Sequence, residues 1–113
     1  MSFHQPPQVP EVGLDELADS LEDGAVLIDV RMPDEYEEMH VPGAVLLPLP
    51  DLPHRAREVP RGQRVYVICA TGARSVAAVQ ALNNAGWDTV SVAGGTKGWA
   101  AEGRPVQGGA RRS

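Results

Sequence analysis

Arg64-Val65-Tyr66-Val67-Ile68-Cys69-Ala70-Thr71-Gly72-Ala73-Arg74-Ser75-Val76-Ala77-Ala78 decides how the rest of the chain is read. Its first part is mostly apolar and partly β-branched, it ends on the only cysteine, and small residues then lead into an alanine-rich segment. The pattern predicts strand, loop, helix. Ala78, Leu82 and Ala85 fall at i, i+4 and i+7 with Val79 beside them, while Gln80, Asn83 and Asn84 take the other side, and Gly86 supplies the stop. A loop that turns a strand into a helix leaves the first backbone N–H groups of the helix unpaired and pointing into it. Gly72 lets successive amides converge on one centre, and such a nest favours an anion. By residue type alone, Cys69 reads as a small buried hydrophobe. The glycine loop and the helix start turn the reading towards a nucleophile, because helix-end amides stabilise a thiolate below the free value of about 8.5.

On the N-terminal side, residues 1–8 carry two prolines and no periodicity and read as an arm, followed by a short strand over Val9 to Val12. Leu14, Leu17, Ala18 and Leu21 lie at helical spacing, with Asp15 and Glu16 in the first turn and Gly24 just past the end. Ala25 to Val30 is a continuous apolar run, as in a strand covered on both faces. Pro33, Asp34 and Glu35 suit the first turn of a short helix to about His40, which Pro42-Gly43 ends. Ala44 to Leu47 reads as a strand, and Asp51 to about Glu58 as a helix with Pro53 near its start. Beyond the central unit, Thr89 to Val92 is the last strand, and Thr96 is expected to cap a final helix through Trp99 that ends at Gly103. The folded domain is expected to span 9–106, with 107–113 a flexible tail.

Strands alternating with helices imply parallel pairing through right-handed crossovers. The fold class is therefore α/β, three-layer, with a mostly parallel five-stranded sheet flanked by helices. Such sheets bind ligands at the carboxyl ends of their strands, where Asp29, Cys69 and the Ala93-Gly94-Gly95 turn all fall.

Composition narrows the partners. At 113 residues the chain fits one domain, and 42% hydrophobic with 22% charged residues is ordinary globular composition. A formal net charge of −5 argues against nucleic acid and anionic membranes, which select basic patches. No apolar run approaches the roughly 20 residues of a membrane span, and the N-terminus lacks the apolar core of a signal peptide, so a cytoplasmic location is expected. His4, His40 and His54 have no ligand spacing; no metal and no cofactor are expected. With one cysteine there is no internal disulfide, and whatever attaches to Cys69 must leave to an external acceptor.

Cys69-Ala70-Thr71-Gly72-Ala73-Arg74-Ser75 resembles the active-site loop of the single-domain rhodanese family, Cys-x-x-Gly-x-Arg-Ser. Leu27-Ile28-Asp29-Val30-Arg31, then Glu35-Tyr36 and His40-Val41-Pro42-Gly43-Ala44, is similar to that family's upstream signature. Gly94-Gly95-Thr96-Lys97-Gly98-Trp99 is similar to its closing Gly-Gly-x-x-x-Trp. Met39 departs from the Gly that usually precedes the His, and Leu47 from a polar residue. The resemblance implies a sulfurtransferase in which Cys69 takes a sulfane sulfur, as a persulfide cradled by residues 70–75, from thiosulfate or a persulfide donor. A thiol, cyanide or protein acceptor then removes it. Arg74 either holds an anion or pairs with Asp29 or Glu35 to brace the loop. Asp29 and Arg31 read as bracing, Gly94 and Gly95 as permitting close backbone approach, and Trp99 as a core residue or the lining of a pocket mouth. Two alternatives are a rhodanese-like binding or regulatory module without turnover, and a cysteine phosphatase or arsenate reductase. The latter space Cys and Arg by five residues, whereas here only Ala70 to Ala73 intervene.

Overall fold

The computed structural model describes residues 9–108. The elements in chain order are β1 (Glu11–Val12), α1 (Leu14–Glu22), β2 (Val26–Asp29), α2 (Pro33–Glu38), β3 (Val45–Leu46), α3 (Leu52–Arg55), β4 (Arg64–Ile68), α4 (Ala73–Asn84), β5 (Asp88–Val92) and α5 (Gly95–Ala101). The five strands form one sheet in the order β1-β5-β4-β2-β3, and every neighbouring pair is parallel. The strand that leads to Cys69 is central. Val67 faces Ile28 of β2 on one side and Ser91 of β5 on the other.

Strand alternation divides the core into two layers. Val65, Val67 and Cys69 pack with Ile28, with Leu52 of α3 and with Ala78, Val79 and Leu82 of α4. Tyr66 and Ile68 pack on the opposite face with Leu17 of α1, Val90, Val92 and Trp99 of α5. Helices therefore cover both faces of the sheet, which is the three-layer α/β arrangement expected from the alternation of elements. No helix among the described residues is long and apolar enough to cross a membrane.

Several boundaries differ from the sequence reading. The single helix expected over 51–58 is three short pieces: a 3-10 turn at Leu49–Asp51, α3, and a second 3-10 turn at Ala56–Glu58. Pro50 and Pro53 lack the N–H donors a continuous ladder needs, so tighter i→i+3 bonds such as Asp51 N–H to the Pro48 carbonyl (2.8 Å) take over. Thr96 does not cap the last helix; it is the second residue of α5, and Gly94 holds the N-cap position without a side-chain bond. Gly94 and Gly95 turn the chain so sharply that the helix starts before Thr96. Its Oγ1 is buried with no partner among the described residues. Gln107, placed above in the tail, exchanges two 2.8 Å backbone hydrogen bonds with His40. The arm over 1–8 and the tail from 109 onward lie outside the described residues.

Candidate active site

β4 ends at Ile68, whose carbonyl accepts a 3.0 Å bond from Val30 N–H, so Cys69 leaves the sheet from its most enclosed strand. The chain turns at Gly72, where φ is +126° and ψ −15°, and enters α4 at Ala73. A side chain there meets no neighbour within 4 Å, yet the backbone conformation itself is one that L residues rarely adopt. That turn aims the Gly72 N–H back at Cys69 Sγ, 3.1 Å away.

Cys69 is 1% exposed. Burial pushes its thiol pKa up, but hydrogen bonds from the Ser75 hydroxyl and from the amides of Ser75, Gly72 and Thr71 outweigh burial, and the net shift is downward. The Ser75 hydroxyl lies 3.5 Å from the sulfur, 3.0 Å from the Gly72 carbonyl and 2.7 Å from the Ser91 hydroxyl. The Gly72 amide thus donates to the sulfur, and the Ser75 hydroxyl stands beside it, accepting from the thiol and able to donate to a thiolate.

Arg74 is engaged by Glu35, although its charge still lies near enough to Cys69 for the two to attract. Its Nη1 and Nη2 donate to the two carboxylate oxygens of Glu35 at 2.7 and 2.9 Å, clamping the first turn of α4 to α2. The Arg74 guanidinium, together with the Met32 N–H bonded to the same carboxylate at 2.9 Å, pulls the Glu35 pKa down to about 2. Of the two partners weighed for Arg74, Glu35 is the one it meets. Asp29 is occupied by Arg31, through Nε at 2.9 Å, Nη2 at 2.8 Å and the backbone N–H at 3.0 Å, and Arg31 also donates to the Met39 carbonyl at 2.7 Å. Both are buried at the end of β2, and together they fix the chain between β2 and α2.

The far side of the loop rests on α5. Thr96 N–H donates to the Cys69 carbonyl at 2.8 Å and Lys97 N–H to the Ala70 carbonyl at 3.0 Å. A Cβ on Gly95 would overlap the Ala70 carbonyl, so this position is closed to any other residue. Trp99 is not brought to Cys69: its ring lies in the layer on the other face of the sheet and donates Nε1–H to the Pro105 carbonyl at 2.7 Å. Around the loop, Thr71 and Ala73 are exposed and Ala70 is half-buried.

Ser91 escaped the sequence reading. The signal was present in Asp88-Thr89-Val90-Ser91-Val92, whose alternation places Thr89 and Ser91 on one face, a pattern that ordinarily means a half-solvated strand. Here that face is covered by α4, and Asn83 and Ser75 satisfy the two hydroxyls. Among the described residues, no group of three or more His, Cys, Asp or Glu gathers to hold a metal ion.

A family model described as the rhodanese-like domain matches residues 13–102. A sulfurtransferase of Allochromatium vinosum is 34% identical over 101 residues, which are 87% of this chain and 94% of that protein. The crystal structure of a rhodanese-related protein from Thermoplasma volcanium has a TM-score of 0.82 at 31% identity, over 87% of this chain and 97% of that one. That of a thiosulfate sulfurtransferase from Pseudomonas aeruginosa has a TM-score of 0.79 at 34% identity, over 92% of this chain but 21% of that one. A Bacillus subtilis relative, 33% identical over 94 residues, is also longer, the match taking in 51% of it. With its three-layer parallel sheet and the Cys69 loop at the carboxyl end of the central strand, the chain belongs to the rhodanese-like domain family.

Proposed function

We propose that the protein is a sulfurtransferase that works through a persulfide on Cys69. The observation that carries this reading is the convergence of the Gly72 amide at 3.1 Å and the Ser75 hydroxyl at 3.5 Å on a sulfur whose pKa is lowered. A pre-formed thiolate attacks directly and needs no general base. The thiolate attacks the outer sulfur of thiosulfate or of a persulfide. A Cys69–sulfur bond forms, the donor's S–S bond breaks, and its electron pair leaves with sulfite or with the donor thiolate. An acceptor thiolate or cyanide then attacks the outer sulfur and the pair returns to Cys69. Redox balance closes over the two steps, with no outside oxidant.

Between the two donor classes, persulfides of low charge fit better. The Arg74 guanidinium is engaged by both oxygens of Glu35, and Ala70 and Ala73 bring no charge, so a dianion such as thiosulfate finds mainly backbone N–H groups. The shortness of the loop between Cys69 and Arg74 argues against the phosphatase alternative, since a phosphoryl group needs donors around three equatorial oxygens.

The test is a donor panel on the purified protein, read by mass spectrometry for an adduct of about 32 Da, the mass of one sulfur, on Cys69. Cys69→Ala should lose the adduct and all transfer to cyanide while keeping its fold. Transfer retained in that variant would overturn the assignment.

A further inference from the structure

Ser91 sits in the interior of β5, and no part of its residue is exposed. A buried hydroxyl is unfavourable unless it is hydrogen-bonded, and for packing alone an alanine would serve. Its partner is the Ser75 hydroxyl at 2.7 Å, and either oxygen could be the donor by distance. The direction is settled by counting protons and lone pairs around Ser75.

The Ser75 oxygen has one proton to give and can accept two. Three groups surround it: the Gly72 carbonyl, which can only accept, Cys69 Sγ, and the Ser91 hydroxyl. With Cys69 as a thiol, the S–H donates to Ser75, Ser75 donates to the Gly72 carbonyl, and Ser91 donates to Ser75. Every site is then filled. As a thiolate the sulfur can only accept, so the Ser75 proton swings to it. The Gly72 carbonyl is not orphaned by that swing, because Val76 N–H also bonds it at 3.2 Å. In both states the bond that keeps Ser75 satisfied runs from Ser91.

We infer that Ser91 is a positioning residue for the Cys69 thiolate: it donates to Ser75 and thereby orients and polarises the hydroxyl that donates to the sulfur. Hydrogen bonds in series strengthen one another, and a donor that already accepts gives its own proton more strongly. The chain Ser91–Ser75–Cys69 runs from β5 through the first turn of α4 to the end of β4. Charged groups near it are already paired or lie on the surface. Glu35 of α2 holds Arg74 of α4, Arg31 holds Asp29 of β2, and Lys97 of α5 is exposed. The hydroxyl pair is therefore the neutral adjustable element beneath the sulfur. This inference rests on the proposed role of Cys69 as nucleophile.

The experiment is the pH dependence of Cys69 alkylation by iodoacetamide in the unaltered protein and in Ser91→Ala, Ser91→Thr, Ser75→Ala and the Ser75→Ala/Ser91→Ala double variant. Ser91→Ala should raise the midpoint by roughly 0.2 to 0.6 pH unit, the share of a charge-assisted hydrogen bond that series coupling supplies. Ser91→Thr keeps the hydroxyl and should hold the original midpoint. Ser75→Ala should raise the midpoint further, and adding Ser91→Ala to it should change nothing more, because the coupling passes through Ser75. An unmoved midpoint in Ser91→Ala, or an equal shift with and without Ser75, would overturn the inference and leave the Cys69 chemistry standing. Failure of the nucleophile reading itself would show in the unaltered protein, as a midpoint at or above about 8.5.

Discussion

Cys69 is held between two opposing effects, and the balance falls towards the thiolate. Removal from water favours the neutral thiol, while the Ser75 hydroxyl and the amides of residues 71, 72 and 75 favour the thiolate and prevail. Alkylation of the unaltered protein should accordingly reach half its plateau rate below pH 8.5, the approximate free-thiol value. A group whose pKa is lowered is charged over a wider range towards acid, so reactivity should extend to lower pH than that of a free thiol before it fades. The cysteine, its glycine and the helix start were legible in the sequence because each rests on local chain geometry. Ser91 was not, because what makes it matter is a contact across 16 residues that only the packing of α4 on β5 creates. The pairing of Arg74 was legible as a choice between two carboxylates. Strand β2 resolves it by committing Asp29 to Arg31 two positions on, which leaves Glu35 for Arg74.

Among the elements, α2 and α4 are tied to each other through the Glu35–Arg74 pair, and its response to acid has a definite sign. The Glu35 pKa falls from 4.5 to about 2 in the folded protein, so the pair stabilises the fold fully above about pH 4.5, and that contribution is lost as pH falls towards 2. Glu35→Gln should therefore lower the melting temperature near neutral pH, with the difference from the unaltered protein shrinking to nothing as pH approaches 2. Both side chains are about a third exposed, at 36% and 32%, so solvent screening limits the effect to the order of 1 kcal/mol. A difference that grew on acidification would contradict this assignment. The elements themselves were read correctly in type wherever periodicity was sustained, as in α1 and α4. The reading failed over 51–58, where proline removes the donors of a long helix without forbidding short turns.

For the whole molecule, charge bears on the proposed choice of donor. The chain carries a net −5, and Arg74 of the Cys69 loop is paired with Glu35, so a dianionic donor approaches against the field of the protein. Replacing Ala70 and Ala73 together by Arg should improve thiosulfate turnover chiefly through a lower KM with kcat little changed, because charge that helps ground and transition state alike is uniform binding. A gain confined to kcat would instead mean that the added cations act in the transition state. Steady-state kinetics with thiosulfate and with an uncharged persulfide donor separates the two.

The docking of α5 on the loop has one more effect. The first N–H groups of a helix ordinarily face water and are where it unravels first. In α5 the amides of Thr96 and Lys97 instead close on the carbonyls of Cys69 and Ala70, with no side chain at Gly95 to hold them apart. Fraying of that helix end and opening of the Cys69 loop are thus one event, and neither can relax while the other stays shut.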